Sequence, residues 1–162
     1  MINITLPDGS VRQVEKGTSA MDIALSISEG LARNVLAAKV NDEVIDANRP
    51  MNDDATLQLL TWNDKDGKST MWHSSAHLMA EAVEFYYPGV KLAIGPPIKN
   101  GFYYDIDFLD QTITEVDLEK IEQKMKELEK QKSQFIRKDV SKDEAIAYFK
   151  DKDDEYKLEL LE

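Results

Sequence analysis

The feature that most constrains this fold is a run of short segments, within about the first sixty residues, in which apolar and polar side chains alternate between strong turn signals. Ile2 to Leu6 alternates, Pro7-Asp8-Gly9-Ser10 is a turn, and Val11 to Glu15 alternates again, which predicts a β-hairpin. Ser19 and Asp22 then have capping-box spacing and open a helix whose Ala20, Ile23, Ala24 and Ile27 are expected to face inward and whose end is expected at Gly30. Strand signals follow in Val35 to Val40, in Glu43 to Asp46 after an Asn41-Asp42 turn, and in Ala55 to Thr61.

The order ββαβ(β)β predicts a ubiquitin-like β-grasp unit, one helix crossing a small sheet, over residues 1–62. No residue in it is an obvious catalyst. Asn63-Asp64-Lys65-Asp66-Gly67-Lys68 has almost nothing to bury and reads as the boundary to a second domain, 63–162.

That second part opens on Trp72-His73-Ser74-Ser75-Ala76-His77-Leu78-Met79-Ala80-Glu81-Ala82, which holds the chain's only two histidines. Ala, Leu and Met favour helix, no Gly or Pro interrupts, and Pro88-Gly89 provides the stop. Four residues apart on a helix, His73 and His77 share a face with their Cβ atoms roughly 5–6 Å apart, close enough to act on one atom. Lys91 to Ile94 reads as a strand, Gly95-Pro96-Pro97 as a rigid bend, and Phe102 to Asp107 as a strand with Phe102, Tyr104 and Ile106 on one face. Thr114 and Asp117 start a long charged helix, stapled by Ile113 and Leu118, with a narrow core stripe of Leu118, Ile121, Met125 and Leu128. Ser141 and Glu144 cap a shorter helix. Tyr156 to Leu161 alternates like a strand and stops at Glu162, which reads as a chain cut from a longer protein. The fold class is therefore α+β throughout, the second part combining an antiparallel sheet with a long helix.

Composition narrows the chemistry. With no cysteine there is no disulfide, thiolate metal site or cysteine nucleophile, and a reducing compartment is expected. The N-terminus has neither a basic flank nor an apolar run of signal or membrane length, so a soluble cytoplasmic protein without membrane association is expected. A net charge of −11 argues against non-specific nucleic-acid binding, because a surface of this sign repels phosphates. The His pair lacks the glutamate that a zincin places after its first histidine, Ser74 standing there instead, and only carboxylates such as Glu81, Glu84 or Asp105 could complete a zinc shell. General acid–base chemistry without metal is the better reading, one imidazole taking a proton from water while its neighbour orients it. Lys157 and Tyr104 are candidate helpers: an ammonium neutralises a developing oxyanion and a phenol hydrogen-bonds a ribose or aminoacyl group. The alternative is a non-catalytic RNA- or protein-binding module whose His pair is structural.

His73-Ser-Ser-Ala-His77-Leu-Met-Ala-Glu-Ala-Val83, Ala93-Ile-Gly-Pro-Pro97 and Asn100-Gly-Phe-Tyr-Tyr-Asp105, following a β-grasp unit with Leu6-Pro-Asp-Gly9 in its first hairpin, resemble the N-terminal part of the bacterial threonyl-tRNA synthetases. The resemblance covers the whole chain: 1–62 is similar to the family's TGS domain and 63–162 to the first part of its editing domain. It implies hydrolysis of seryl-tRNA formed by mistake on the threonine tRNA, beside ATP-dependent charging of that tRNA with threonine. His73, His77 and Lys157 are then catalytic residues of editing, and Tyr104 contacts the bound aminoacyl-adenosine at the tRNA 3′ end. The family completes its site with a Cys-x-x-x-His that this chain does not reach. No cofactor or metal is expected here, ATP and zinc belonging to the family's downstream aminoacylation domain, whose full-length proteins are homodimers.

Overall fold

The computed structural model describes residues 1–161, and Glu162, where the expected last strand was to end, lies outside the described residues. The chain divides into two compact units, Met1–Trp72 and His73–Glu162.

In the first unit β1 (Ile2–Thr5) and β2 (Val11–Val14) form the expected hairpin, with the turn closed by Gly9 at φ +80° and by Asp8, whose carboxylate accepts from the Ser10 backbone N–H and hydroxyl. β3 (Ala37–Val40) and β4 (Glu43–Ile45) pair antiparallel across Asn41 and Asp42, both with positive φ, as a two-residue hairpin turn requires. β5 (Ala55–Leu60) enters the middle, parallel to β1 and antiparallel to β3, giving the order β2-β1-β5-β3-β4. α1 (Ala20–Ile27) crosses this sheet, its start fixed by a reciprocal Ser19–Asp22 capping box. Ile2, Ile4, Ala20, Ile23, Ala38, Met51 and Leu57 close the core between them, each large side chain contributing about 1.5–3 kcal/mol. This is the β-grasp arrangement that the alternation predicts.

Three local expectations fail in this unit. Ser28 in extended conformation ends α1 before Gly30, and its hydroxyl caps a separate turn, α2 (Glu29–Ala32), that contains Gly30. Ile27, expected inside, is 41% exposed at the last position of α1. The stretch expected as a polar linker is largely helical: α3 runs Lys65–Tyr86 and carries residues of both units. Its first turn lies so close to the end of β5 that a Cβ on Gly67 would stand 2.1 Å from the Thr61 carbonyl oxygen. A Lys39–Asp66 ion pair holds the same turn to β3.

In the second unit the rest of α3 ends before Pro88 and Gly89, the latter at φ +89°. Two short antiparallel ribbons follow, β6 (Lys91–Leu92) with β9 (Ile106–Asp107) and β7 (Pro97–Ile98) with β8 (Gly101–Phe102). The expected strand over Phe102–Asp107 is thus split around Tyr103–Asp105, yet its alternation survives: Phe102, Tyr104 and Ile106 are half-buried and Tyr103, Asp105 and Asp107 exposed. α4 (Glu115–Gln131) begins at Thr114, whose N–H and hydroxyl both donate to Asp117, and lays Ile121, Met125 and Leu128 against Ala82, Val83 and Val90. Leu118, placed in that stripe and in a staple by its spacing, is 57% exposed and lies outside the cluster that Ile121, Met125 and Leu128 join.

α5 (Lys142–Asp151) starts at the expected Ser141–Glu144 box. The expected strand at Tyr156–Leu161 is instead a short helix, α6 (Glu155–Glu159). The Asp154 carboxylate accepts from the Lys157 N–H and nucleates a turn, and local capping outweighs the period-two pattern.

Candidate functional site

Alanines at 76, 80 and 82 and Val83 are buried, which fixes the rotation of α3 and leaves both histidines on the solvent-facing side. Their Nε2 atoms stand 3.1 Å apart, with ring centroids at 4.8 Å and planes inclined by 33°. At that distance one Nε2 must carry the proton and the other accept it, so the pair holds one proton between two nitrogens. His77 is pushed below the ordinary imidazole value, first by the loss of solvent around its ring, then by charge on His73 and by the Lys157 ammonium.

Tyr104 lies against Gly95: a Cβ there would stand 2.4 Å from Tyr104 Cδ2 and 2.6 Å from Cε2. Only glycine leaves room for the ring. Burial raises the phenol's pKa, followed by the negative charges of Glu84, two helical turns along the His face of α3, and of Asp154. Lys157 does not hang free in solvent. Its Nζ donates to the Leu92 carbonyl at 3.1 Å and to the Ala93 carbonyl at 2.5 Å.

The four residues singled out from the sequence therefore fall into linked pairs. His73 touches His77, the charge of Lys157 reaches His77, and Tyr104 stands on the strand bend whose neighbouring carbonyls Lys157 holds. Gly95 and Asp154 were not legible as site residues. A Gly-Pro-Pro run read as a bend gives no sign that an aromatic ring rests on the glycine, and Asp154 sat in a run of charged residues that resembled a loop. Among the described residues no group of three or more His, Asp or Glu side chains is arranged to hold a metal ion. No helix among them is long and apolar enough to cross a membrane.

Residues 2–61 match the model of the TGS domain family. Beyond that unit the similarity continues along the whole chain: it is 65% identical over 162 residues to a "Threonine--tRNA ligase" of Cytophaga hutchinsonii, covering 100% of this chain and 25% of that protein. The chain carries a TGS domain and matches the N-terminal region of the threonine--tRNA ligases. Proteins of the same name from Parabacteroides distasonis and Flavobacterium psychrophilum are 56% and 50% identical over 161 residues. The chain spans about a quarter of the length of these ligases. Within this TGS domain the β-grasp sheet offers an open hollow of about 360 Å³, lined by Asn41, Glu43, Arg49 and Asp53 among others, with no histidine in it.

Proposed function

We propose that this chain is the N-terminal portion of a threonine--tRNA ligase and that its His73–His77 helix forms part of a site that hydrolyses serine misattached to the threonine tRNA. The observation that supports this best is the pair of Nε2 atoms 3.1 Å apart on an exposed helical face, in a chain similar throughout to those ligases. The need is physical: serine lacks one methyl of threonine, and a binding pocket gains only about 1–3 kcal/mol from such a group.

In the step we assign, the neutral imidazole of the pair accepts a proton from water as the water oxygen bonds to the ester carbonyl carbon. The ester C–O bond then breaks, and the proton held between the rings passes to the departing ribose oxygen, giving serine and free tRNA. A His77 held neutral suits the first role. Tyr104 contacts the terminal nucleoside or its aminoacyl group, and the Lys157 charge belongs to the same site. Threonine charging with ATP, the zinc ion and dimer contacts are assigned to parts of the longer protein, and the cytoplasm to its working place. Among the described residues no third His, Asp or Glu clusters with the two histidines, and the step is written with the imidazoles alone.

The test is hydrolysis of seryl-tRNA by the full-length ligase. His73→Ala or His77→Ala is expected to slow it by about 10²–10⁴-fold while threonine charging persists. Unchanged hydrolysis in both variants overturns the assignment.

A further inference from the structure

The two tryptophans of the chain meet where β5 gives way to α3. Trp62 follows the end of β5, and its ring meets that of Trp72 edge to face with centroids 5.5 Å apart. Lys65, Lys68 and Trp72 recur at steps of three and four on α3 and so lie along one stripe of that helix. The Lys68 ammonium stands 5.7 Å from the centre of the Trp62 ring. The result is an indole corner edged by ammonium groups, all within the first unit.

The junction itself is held by other groups. Gly67 packs against the Thr61 carbonyl, the Asp64 carboxylate accepts from the Thr61 N–H and hydroxyl, and Asp66 pairs with Lys39. Trp62 joins neither hydrophobic core of the unit and stays 47% exposed. An indole left half in water has much of its apolar area still to bury, which suits it to grip a partner.

Charge selects that partner. Asp64 and Asp66 are taken up by Thr61 and Lys39, whereas among the described residues neither Lys65 nor Lys68 is in an ion pair. An apolar peptide would use the indoles and leave the ammonium groups idle, and an acidic peptide would use the ammonium groups and offer little to the rings. An unpaired nucleotide brings a phosphate and a flat base together. The net charge of −11 repels the rest of such a strand, so the contact is confined to this corner.

We propose that Trp62, Lys68 and Trp72 form a stacking site for an unpaired RNA strand, one base lying on the indole corner and the adjoining phosphates meeting Lys65 and Lys68. At 5.7 Å the contact of Lys68 with the ring is loose, and the ammonium gives it up for a phosphate. The inference goes beyond the hydrolysis reading and needs no chemistry at the His pair.

The test titrates this chain with a short single-stranded RNA. The chain has no tryptophans but these two, so stacking is expected to quench its indole fluorescence. Anisotropy of the same RNA carrying a 5′ dye then gives the affinities of variants. Trp62→Ala is expected to weaken binding at least about fivefold, and Trp62→Phe, which keeps a ring face, to stay within about threefold of the unmodified chain. Lys68→Gln is expected to lessen the loss of affinity between about 50 and 200 mM salt by about 2.5-fold, as for one phosphate contact removed. Absence of quenching, or equal affinity in Trp62→Ala and the unmodified chain, overturns the site. So does stronger quenching by a polyglutamate peptide than by RNA, which would give the corner to an acidic protein. If circular dichroism shows Trp62→Ala unfolded, the quenching of the unmodified chain and the salt response of Lys68→Gln still decide.

Discussion

Replacing Gly67 by alanine sets two effects of opposite sign against each other. Gly67 is a helical position in the first turn of α3, and by propensity alone the substitution stabilises by about 0.8–1 kcal/mol. The new Cβ, however, would lie 2.1 Å from the Thr61 carbonyl oxygen and 2.9 Å from its carbon, more than an ångström inside ordinary contact. Thr61 has little room to yield. Its N–H and hydroxyl both donate to the Asp64 carboxylate, and its carbonyl accepts from the Asp64 N–H at 3.1 Å. Relieving the clash means overpacking at about 1–3 kcal/mol, with loss of a hydrogen bond at about 1 kcal/mol if the turn opens. The steric term wins, and the expected outcome is a net loss of about 1–3 kcal/mol. Both tryptophans of the chain, Trp62 and Trp72, belong to this unit and meet edge to face with centroids 5.5 Å apart, so their fluorescence reports its urea unfolding. The midpoint should fall by roughly 0.5–2 M. A midpoint unchanged or raised would show that the start of α3 does not press on the end of β5.

Further outcomes follow from the same geometry. Ser19→Ala removes one half of the α1 capping box and should cost about 0.5–2 kcal/mol in the same urea assay. The Ser19 hydroxyl and N–H hold the Asp22 carboxyl below its ordinary value, so the stability it contributes is complete above the ordinary carboxylate range and lost as pH falls through the lowered value; Asp22→Asn should flatten that acid limb. Leu57→Ala, at a side chain that is 2% exposed between sheet and helix, should cost about 2–5 kcal/mol. His77 should titrate by NMR below the free imidazole value, and because its folded pKa is depressed, the associated stability is present above that free value and lost as pH falls through the folded one. A His77 midpoint at or above the free value would contradict its loss of solvent and its like-charged neighbours.

How far the fold could be read from the sequence depended on whether a segment's partners were near it in the chain. The hairpin of β1 and β2, the turn at Asn41-Asp42 and the capping boxes at Ser19, Thr114 and Ser141 are local devices, and each was legible because a few consecutive residues supply both the signal and its partner. Failures came where distant atoms decided. Tyr156–Leu161 has the alternation of a strand, but the Asp154 carboxylate caps a helical turn there, so it coils. The polar stretch at 63–68 looked like a linker because it buries little, whereas its glycine is there to let a helix approach β5. Ile27 and Leu118 had the right spacing for a core face, but each sits in an end turn of its helix and is exposed.

The site divides along the same line. The His pair was legible because a four-residue step on a helix without breakers fixes geometry within one turn, and the rings do meet. Beyond the burial of its ring and the charge on His73, what lowers the His77 pKa lies 80 residues away in sequence, at Lys157, and no spacing rule connects those positions. Charge at Lys157 reaches His77, yet the ammonium is anchored 65 and 64 residues back, on the carbonyls of Leu92 and Ala93. A lysine bonded to main-chain oxygens cannot be told from a surface lysine in a sequence, because its partners have no side-chain identity. The glycine under Tyr104 is hidden for the complementary reason, since its contribution is the absence of an atom. Helical spacing thus announces which two rings meet, while a bond to a main-chain oxygen or a contact that needs a missing Cβ becomes visible only when the chain is folded.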